Sequence, residues 1–309
     1  MSQADLQVRT NDPPRLRPLR RMRELWRQRE VMANLARKEL KVRYKSSVLG
    51  VAWSMLNPLL YLLVFYVVFT FFLPSQIPNF PVYLLSGLLP WTLFSSSLGA
   101  TTQSVVGGGN LVTKVAFPHE MLPLAAVRAQ TVNFFFQFLV LVGFLVVFGQ
   151  PLLHRGVVLL PLALGVLLLF VMALGFATSA WNVRYRDTGH LVELATLAWF
   201  WSTPIVYPVT TVTEGARFGP VADAIYLLNP LTNIVLTFQR AIYGGATPEA
   251  LRDRPIPGPD PGVLPPVLPM PGLRWYAFRL LILGAVSLII FLLTWRLFYK
   301  RSGDFAEEL

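Results

Sequence analysis

Apolar residues run through this chain in blocks much longer than an amphipathic period, and the polar residues between them cluster in a few short turns. Positions 46 to 113 contain no Asp, Glu, Lys, Arg or His over 68 residues. Globular helices average about 11–12 residues, so such a block is no soluble core element. It fits two membrane-crossing helices of roughly 20 residues each, joined by a hairpin. Extended along the chain, the pattern predicts six crossings. The first covers 51–73 and stops at Leu73-Pro74; the second covers 82–106 and closes on Gly107-Gly108-Gly109. The third takes 129–148, the fourth 157–181, the fifth 191–207 with breaks at Pro204 and Pro208, and the sixth 275–297.

Ahead of the first crossing the period changes. Within 20–45, Met22, Leu25, Trp26, Met32, Ala33, Ala36, Leu40 and Tyr44 share one face of a 3.6-residue helix, interrupted by Arg29 and Arg43 and opposite Arg, Lys and Glu. A helix of that kind lies in the membrane interface. Residues 1–19 read as a mobile cytoplasmic tail and 300–309 as a cytoplasmic tail. The fold class is therefore an all-α integral membrane protein: six transmembrane helices over 46–299, an N-terminal amphipathic helix and two tails. The region 209–273 is predicted to be external. Its uncharged stretch 224–239, broken at Asn229-Pro230, would reach about 24 Å as a helix, short of a roughly 30 Å hydrocarbon core. A re-entrant helical hairpin fits. The proline-rich stretch 244–272 reads as coil. Only 16 uncharged residues separate Arg279 from Arg296, so both arginines are expected to snorkel.

Charge orients this arrangement. Residues 1–45 hold 13 Lys/Arg against 5 Asp/Glu, and Lys114, Arg128, Arg184, Arg186, Lys300 and Arg301 fall in loops on the same side, so both termini are expected in the cytoplasm. The basic excess then reads as contact with anionic lipids and not with nucleic acid. No cysteine is present, which removes thiolate chemistry and disulfides, and the three histidines are not at metal-ligand spacing. The first 45 residues are too polar to hold the apolar region of a signal peptide.

The glycine run Gly107–Lys114 lacks the Gly-Lys-Ser/Thr ending of a phosphate loop and follows a membrane helix, so it reads as a flexible terminus. With no nucleotide motif in the chain, ATP-driven work requires a partner. The predicted spans carry almost no ionisable group, which argues against ion-coupled transport and against acid–base catalysis. The aromatics Trp53, Trp91, Phe94, Trp199, Phe200 and Trp201 read mostly as an interfacial belt or lipid-facing bulk. Tyr61, Phe65 and Phe69 share a face near mid-membrane, where aromatic rings could stack on sugars. A short helix at 112–125, the Arg184-Tyr185-Arg186-Asp187 turn and the N-terminal helix give three docking elements on one side, suited to a cytoplasmic motor.

At this point the residues resemble a known family. The run from Arg37 through Lys38-Glu39-Leu40-Lys41-Val42-Arg43-Tyr44-Lys45 to Gly50, followed by Trp53 and Asn57-Pro58, looks like the opening of type-2 ABC exporter permeases for polysaccharides: the O-antigen, teichoic-acid and galactan exporters. Residues 111–123 resemble that family's coupling helix. Arg184-Tyr185-Arg186-Asp187, Tyr207-Pro208, and Asn229-Pro230 leading to Arg240 and Tyr243-Gly244 match in order and spacing, so the likeness covers about 20–309.

The resemblance implies a homodimer in the bacterial cytoplasmic membrane bound to two copies of a separate ABC ATPase. ATP and magnesium belong to that partner, and the chain itself is no enzyme and carries no cofactor. It implies ATPase coupling by Lys114, Phe117, Pro118, His119, Glu120, Arg184, Arg186 and Asp187. A substrate gate falls on Arg37, Arg43, Tyr44 and Lys45, and a substrate path on Tyr61, Phe65 and Tyr66. The expected cargo is a polyprenyl-diphosphate-linked polysaccharide, whose diphosphate would meet the basic gate helix. The alternative cargo is a drug or another lipid. A membrane glycosyl- or acyltransferase would need clustered acids or histidines, which the sequence does not show, and a passive scaffold would leave a partner's ATPase rate unchanged. The loop 245–272 is longer than the family's usual one.

Overall fold

The computed structural model describes residues 18–44, 53, 56, 59–60, 63–64, 67–72, 77–114, 117–147, 149–152, 154–213, 226–247, 251, 254–255, 263–264 and 266–309. Most of the predicted first span lies outside these residues, and so do Tyr61, Phe65, Tyr66 and Lys45; of Arg43 and Tyr44 only the helical backbone is described.

The N-terminal amphipathic segment is two helices, α1 (Pro18–Arg27) and α2 (Arg29–Tyr44), joined at Gln28. Helix α1 begins two residues before the predicted start because Pro18 suits a first helical position, where its missing N–H is not needed. Then come α3 (Phe80–Gly107), α4 (Gly109–Lys114), α5 (Met121–Val147), a 3-10 turn Arg155–Leu159 running into α6 (Leu160–Arg184), and α7 (Thr188–Trp201). Helix α8 (Pro230–Ala241) and the long α9 (Leu273–Arg301) complete the bundle. Within the proline-rich stretch Arg254–Pro255 pairs antiparallel with Val263–Leu264. Coil was expected there, but extended proline backbone is compatible with the edge of a ribbon.

Among the described residues, three helices are long and apolar enough to cross a membrane: Met121–Val147, Arg155–Arg184 and Leu273–Arg301. The 28-residue α3 carries no charge but holds eight Ser and Thr residues. The predicted fifth span is shortened. Helix α7 ends at Trp201 after 14 residues, about 21 Å, because Pro204 and Pro208 cannot donate to a continuing ladder.

Helix α6 is the centre of the fold and packs on α3, α5, α8 and α9. Its Leu167, Val171 and Ala173 are fully buried. Gly175 lets α3 come close: a Cβ there would lie 2.7 Å from Thr101 Oγ1. One turn on, the Thr102 and Thr178 hydroxyls meet at 2.8 Å. Small residues and paired hydroxyls bring helices together where lipid supplies no hydrophobic drive. The aromatics expected at the lipid surface instead form part of this core. Phe94 stacks on Phe170 at 5.8 Å and meets Trp199 edge-on at 5.2 Å, while Trp91 meets Phe200 at 5.3 Å. Of that set, Trp53 and Trp201 remain exposed.

Asparagines close the breaks. Asn229 Oδ1 accepts from Leu231 N–H and from Trp199 Nε1–H, while its Nδ2 donates to the Ser202 carbonyl. The N-cap of α8 is thereby tied to the C-terminal end of α7. Arg279, half-buried, spends its donors on protein groups. Its Nε donates to Asn233 Oδ1 at 2.6 Å and its Nη2 to the Leu227 carbonyl at 2.7 Å, and its guanidinium lies over Trp275.

Candidate functional site

Helices α3, α6 and α9 run in the same direction and end together, and α5 starts at that end. All the predicted coupling residues lie there. The expected helix over 112–125 is not continuous. Helix α4 stops at Lys114, Phe117–Glu120 form a turn, and α5 begins at Met121. Pro118 removes a donor and biases Phe117 away from helical geometry. Pro123 is tolerated in the first turn of α5, whose N–H groups have no helical partner.

The turn is clamped from both ends of the chain. On α1, Leu19, Met22 and Trp26 form an exposed apolar stripe while Arg21 points inward. Arg21 Nε donates to Glu120 Oε1 at 2.9 Å and its Nη2 donates to Oε2 at 2.8 Å, a bidentate pair bridging 99 positions of sequence. Its Nη1 reaches Glu24 at 3.1 Å, and the guanidinium sits over the Tyr299 ring. Glu120 is wholly buried. The hydrogen bonds to Glu120 raise the Arg21 pKa above its ordinary value, so the charge is permanent.

From the other terminus, residues 302–309 fold back onto the turn. Phe305 is buried against Phe298 at 5.2 Å and next to the His119 ring at 6.1 Å, and His119 meets Phe117 edge-on at 5.6 Å.

Burial lowers the His119 pKa from 6.5, with Arg21 acting the same way; the Ser302 backbone hydrogen bond and Glu120 oppose it. The unfolded imidazole therefore takes a proton near pH 6.5 while the folded one waits for a lower pH. In that window the unfolded state binds more protons, so stability rises with pH and is complete above it. Melting of the purified protein should fall as pH drops from about 7.5 to about 5.5. His119→Gln should flatten part of that slope; an unchanged slope would exclude His119 as its source.

The Arg184-Tyr185-Arg186-Asp187 turn stands beside this cluster, with all four residues exposed. It is held by Asn182, whose Nδ2 donates to the Thr102 carbonyl and to Gln103 Oε1 while its Oδ1 accepts from Gly189 N–H. A Cβ on Gly189 would fall 2.3 Å from Gln103 Nε2, so the Gln103 amide would have to shift. Of the predicted coupling set, Lys114, Arg184, Arg186 and Asp187 are exposed, Phe117 and His119 half-buried, and Pro118 and Glu120 buried. Arg37 is exposed on α2 and donates to Asn34 Oδ1. Sequence reasoning missed Arg21, Asn182 and Phe305. Only Asn182, a polar residue ending an apolar run, left a readable signal. Among the described residues no group of His, Asp and Glu could hold a metal ion.

Membrane-length helices whose shared end is clamped by both termini and presents an exposed charged turn define a polytopic membrane protein. The chain belongs to the ABC-2 type transporter family, which matches residues 30–243. It is similar to an O-antigen export system permease protein RfbA of Myxococcus xanthus, 32% identical over 293 residues that take in 94% of this chain and 100% of that protein. Two proteins of the same name from Klebsiella pneumoniae are 32% and 31% identical, each over 70% of this chain and 81% of its own length.

Proposed function

We propose that this chain is the permease subunit of an ABC transporter that exports a polysaccharide carried on a polyprenyl diphosphate. The observation that carries this reading is the similarity over 94% of the chain to a whole O-antigen export permease. The chain crosses the bacterial cytoplasmic membrane six times with both termini inside, and the stretch 224–239 re-enters from outside. Two copies pair, and two copies of a separate ATPase, which holds ATP and magnesium, dock below. Exposed Lys114, Arg184, Arg186 and Asp187 support docking at the shared helix end. Leu191, Leu194, Leu197 and Trp201, all exposed on α7, support pairing of two copies. Leu19, Met22 and Trp26 of α1, flanked by Arg20, Arg23 and Arg27, suit the interface of an anionic membrane. In this arrangement Arg37, Arg43, Tyr44 and Lys45 meet the diphosphate, and Tyr61, Phe65 and Tyr66 line the path. Glu120 transmits force through Arg21 and does not touch the motor itself.

Deleting the coding sequence in its host should remove surface polysaccharide, and a plasmid copy should restore it. A tagged copy should co-purify with an ATP-hydrolysing subunit. Unchanged surface polysaccharide, or a purified chain that never retains such a subunit, would overturn the reading.

A further inference from the structure

At the far end of α9, about 39 Å along the helix from Tyr299 beside the Arg21–Glu120 pair at 1.5 Å per residue, lies a cavity of 830 Å³. Among the described residues, His154, Arg155, Arg240, Gly245, Arg274 and Trp275 line it, and no carboxylate does. Three guanidinium groups thus converge on one space without an ion-pair partner among the described residues. Arg155 and Arg274 stand exposed at its rim. Arg240 reaches in from the end of α8, and its Nε is buried without an acceptor. A buried donor left unpaired is costly, and like charges gathered together add to that cost. The contrast with Arg279, less than two turns from Arg274, is direct. That arginine spends its donors on Asn233 and on the Leu227 carbonyl.

Two glycines let the lining side chains lie close against the backbone. A Cβ on Gly245 would fall 1.5 Å from the His154 ring, and one on Gly244 would fall 3.0 Å from Arg240 Nη1. His154 Nδ1 accepts the Gly156 N–H at 3.1 Å, which leaves the proton on Nε2, the ring edge facing Gly245. Burial, seconded by Arg240, lowers the His154 pKa, so the ring is a neutral donor near pH 7. Planar guanidinium forks match the oxygens of a phosphate. The volume falls in the range of about 300–1,000 Å³ that holds an organic ligand, so there is room for more than a bare ion.

We propose that this cavity is an oxyanion site for a phosphate or diphosphate group bearing an organic substituent. It rests on the residues around the cavity and does not depend on the export reading. The ligand is either a lipid headgroup or a soluble phosphoester.

Inorganic pyrophosphate titrated into the full chain in phosphatidylcholine nanodiscs should bind saturably, and more weakly at higher salt. Arg155→Gln with Arg274→Gln should weaken binding at least about tenfold, and Arg240→Gln should do likewise. Lys300→Gln, at the opposite end, should leave it unchanged. Because Arg155 and Arg274 are exposed, their double variant tests the site even if Arg240→Gln fails to fold. Adding a polyprenyl diphosphate to the nanodisc should raise the apparent pyrophosphate Kd if the natural ligand is a lipid headgroup. Competition by a soluble sugar phosphate, without competition from the lipid, would identify a soluble phosphoester. Absence of saturable binding, or equal binding by wild type and the Arg155/Arg274 variant, would overturn the site.

Discussion

Arg21→Ala should lower stability by about 3–5 kcal/mol and release the N-terminal helix from the bundle. The figure follows from which partner is lost. Glu120 is fully buried, and Arg21 supplies both of its short, bidentate hydrogen bonds. Alanine leaves a carboxylate that water cannot reach and no cation can neutralise. Arg21→Lys keeps the charge but not the planar fork, so it should fall between alanine and wild type. Combining Arg21→Met with Glu120→Leu should recover much of the loss, because removing both charges removes the stranded one. Melting in detergent measures the stability, and limited proteolysis at Arg27 and Arg29 measures release of α1. A single alanine variant that melts like wild type, with α1 still protected, would show that the pair does not hold the helix. In the proposed exporter this pair is what makes the basic helix and the coupling turn move together, so export should fall with it.

The bulk of the fold is legible in the sequence because a membrane core demands long uncharged runs, and proline and glycine punctuate them. The ends of α3 and α6 fall within three residues of the predicted spans. Hydropathy misplaces the coupling helix because it does not register that Phe117-Pro118 splits it. It draws the fifth span too long for a related reason. The apolar composition continues past Trp201, while the backbone has already turned to let Asn229 take the Ser202 carbonyl. Trp91, Phe94, Trp199 and Phe200 fall to the lipid surface in the sequence because composition cannot tell a helix face in contact with lipid from one in contact with another helix. The Arg21–Glu120 pair has no signature at all, since Arg21 is one of 13 basic residues in the first 45. Its partner lies beyond two predicted spans.

Phe305→Ala should cost about 3–5 kcal/mol, the range for emptying a buried phenylalanine site, and should detach the last residues from the coupling turn. Phe305 is almost completely buried although only four residues of the sequence follow it. Its ring fills the space between Phe298 of α9 and His119. Leucine keeps most of that volume, so Phe305→Leu should lose less than about 1.5 kcal/mol. The second effect of alanine separates this mechanism from simple loss of packing. Burial is what lowers the His119 pKa, so uncovering the ring should return it toward 6.5 and flatten the acid slope of the melting curve. Destabilisation with the wild-type acid slope retained would mean that another group shelters the imidazole. Arg21 and Phe305 grip the same turn from opposite termini, so their alanine variants should be non-additive, with a coupling of about 0.5–3 kcal/mol. Strict additivity would separate the two clamps and leave the turn with two independent supports.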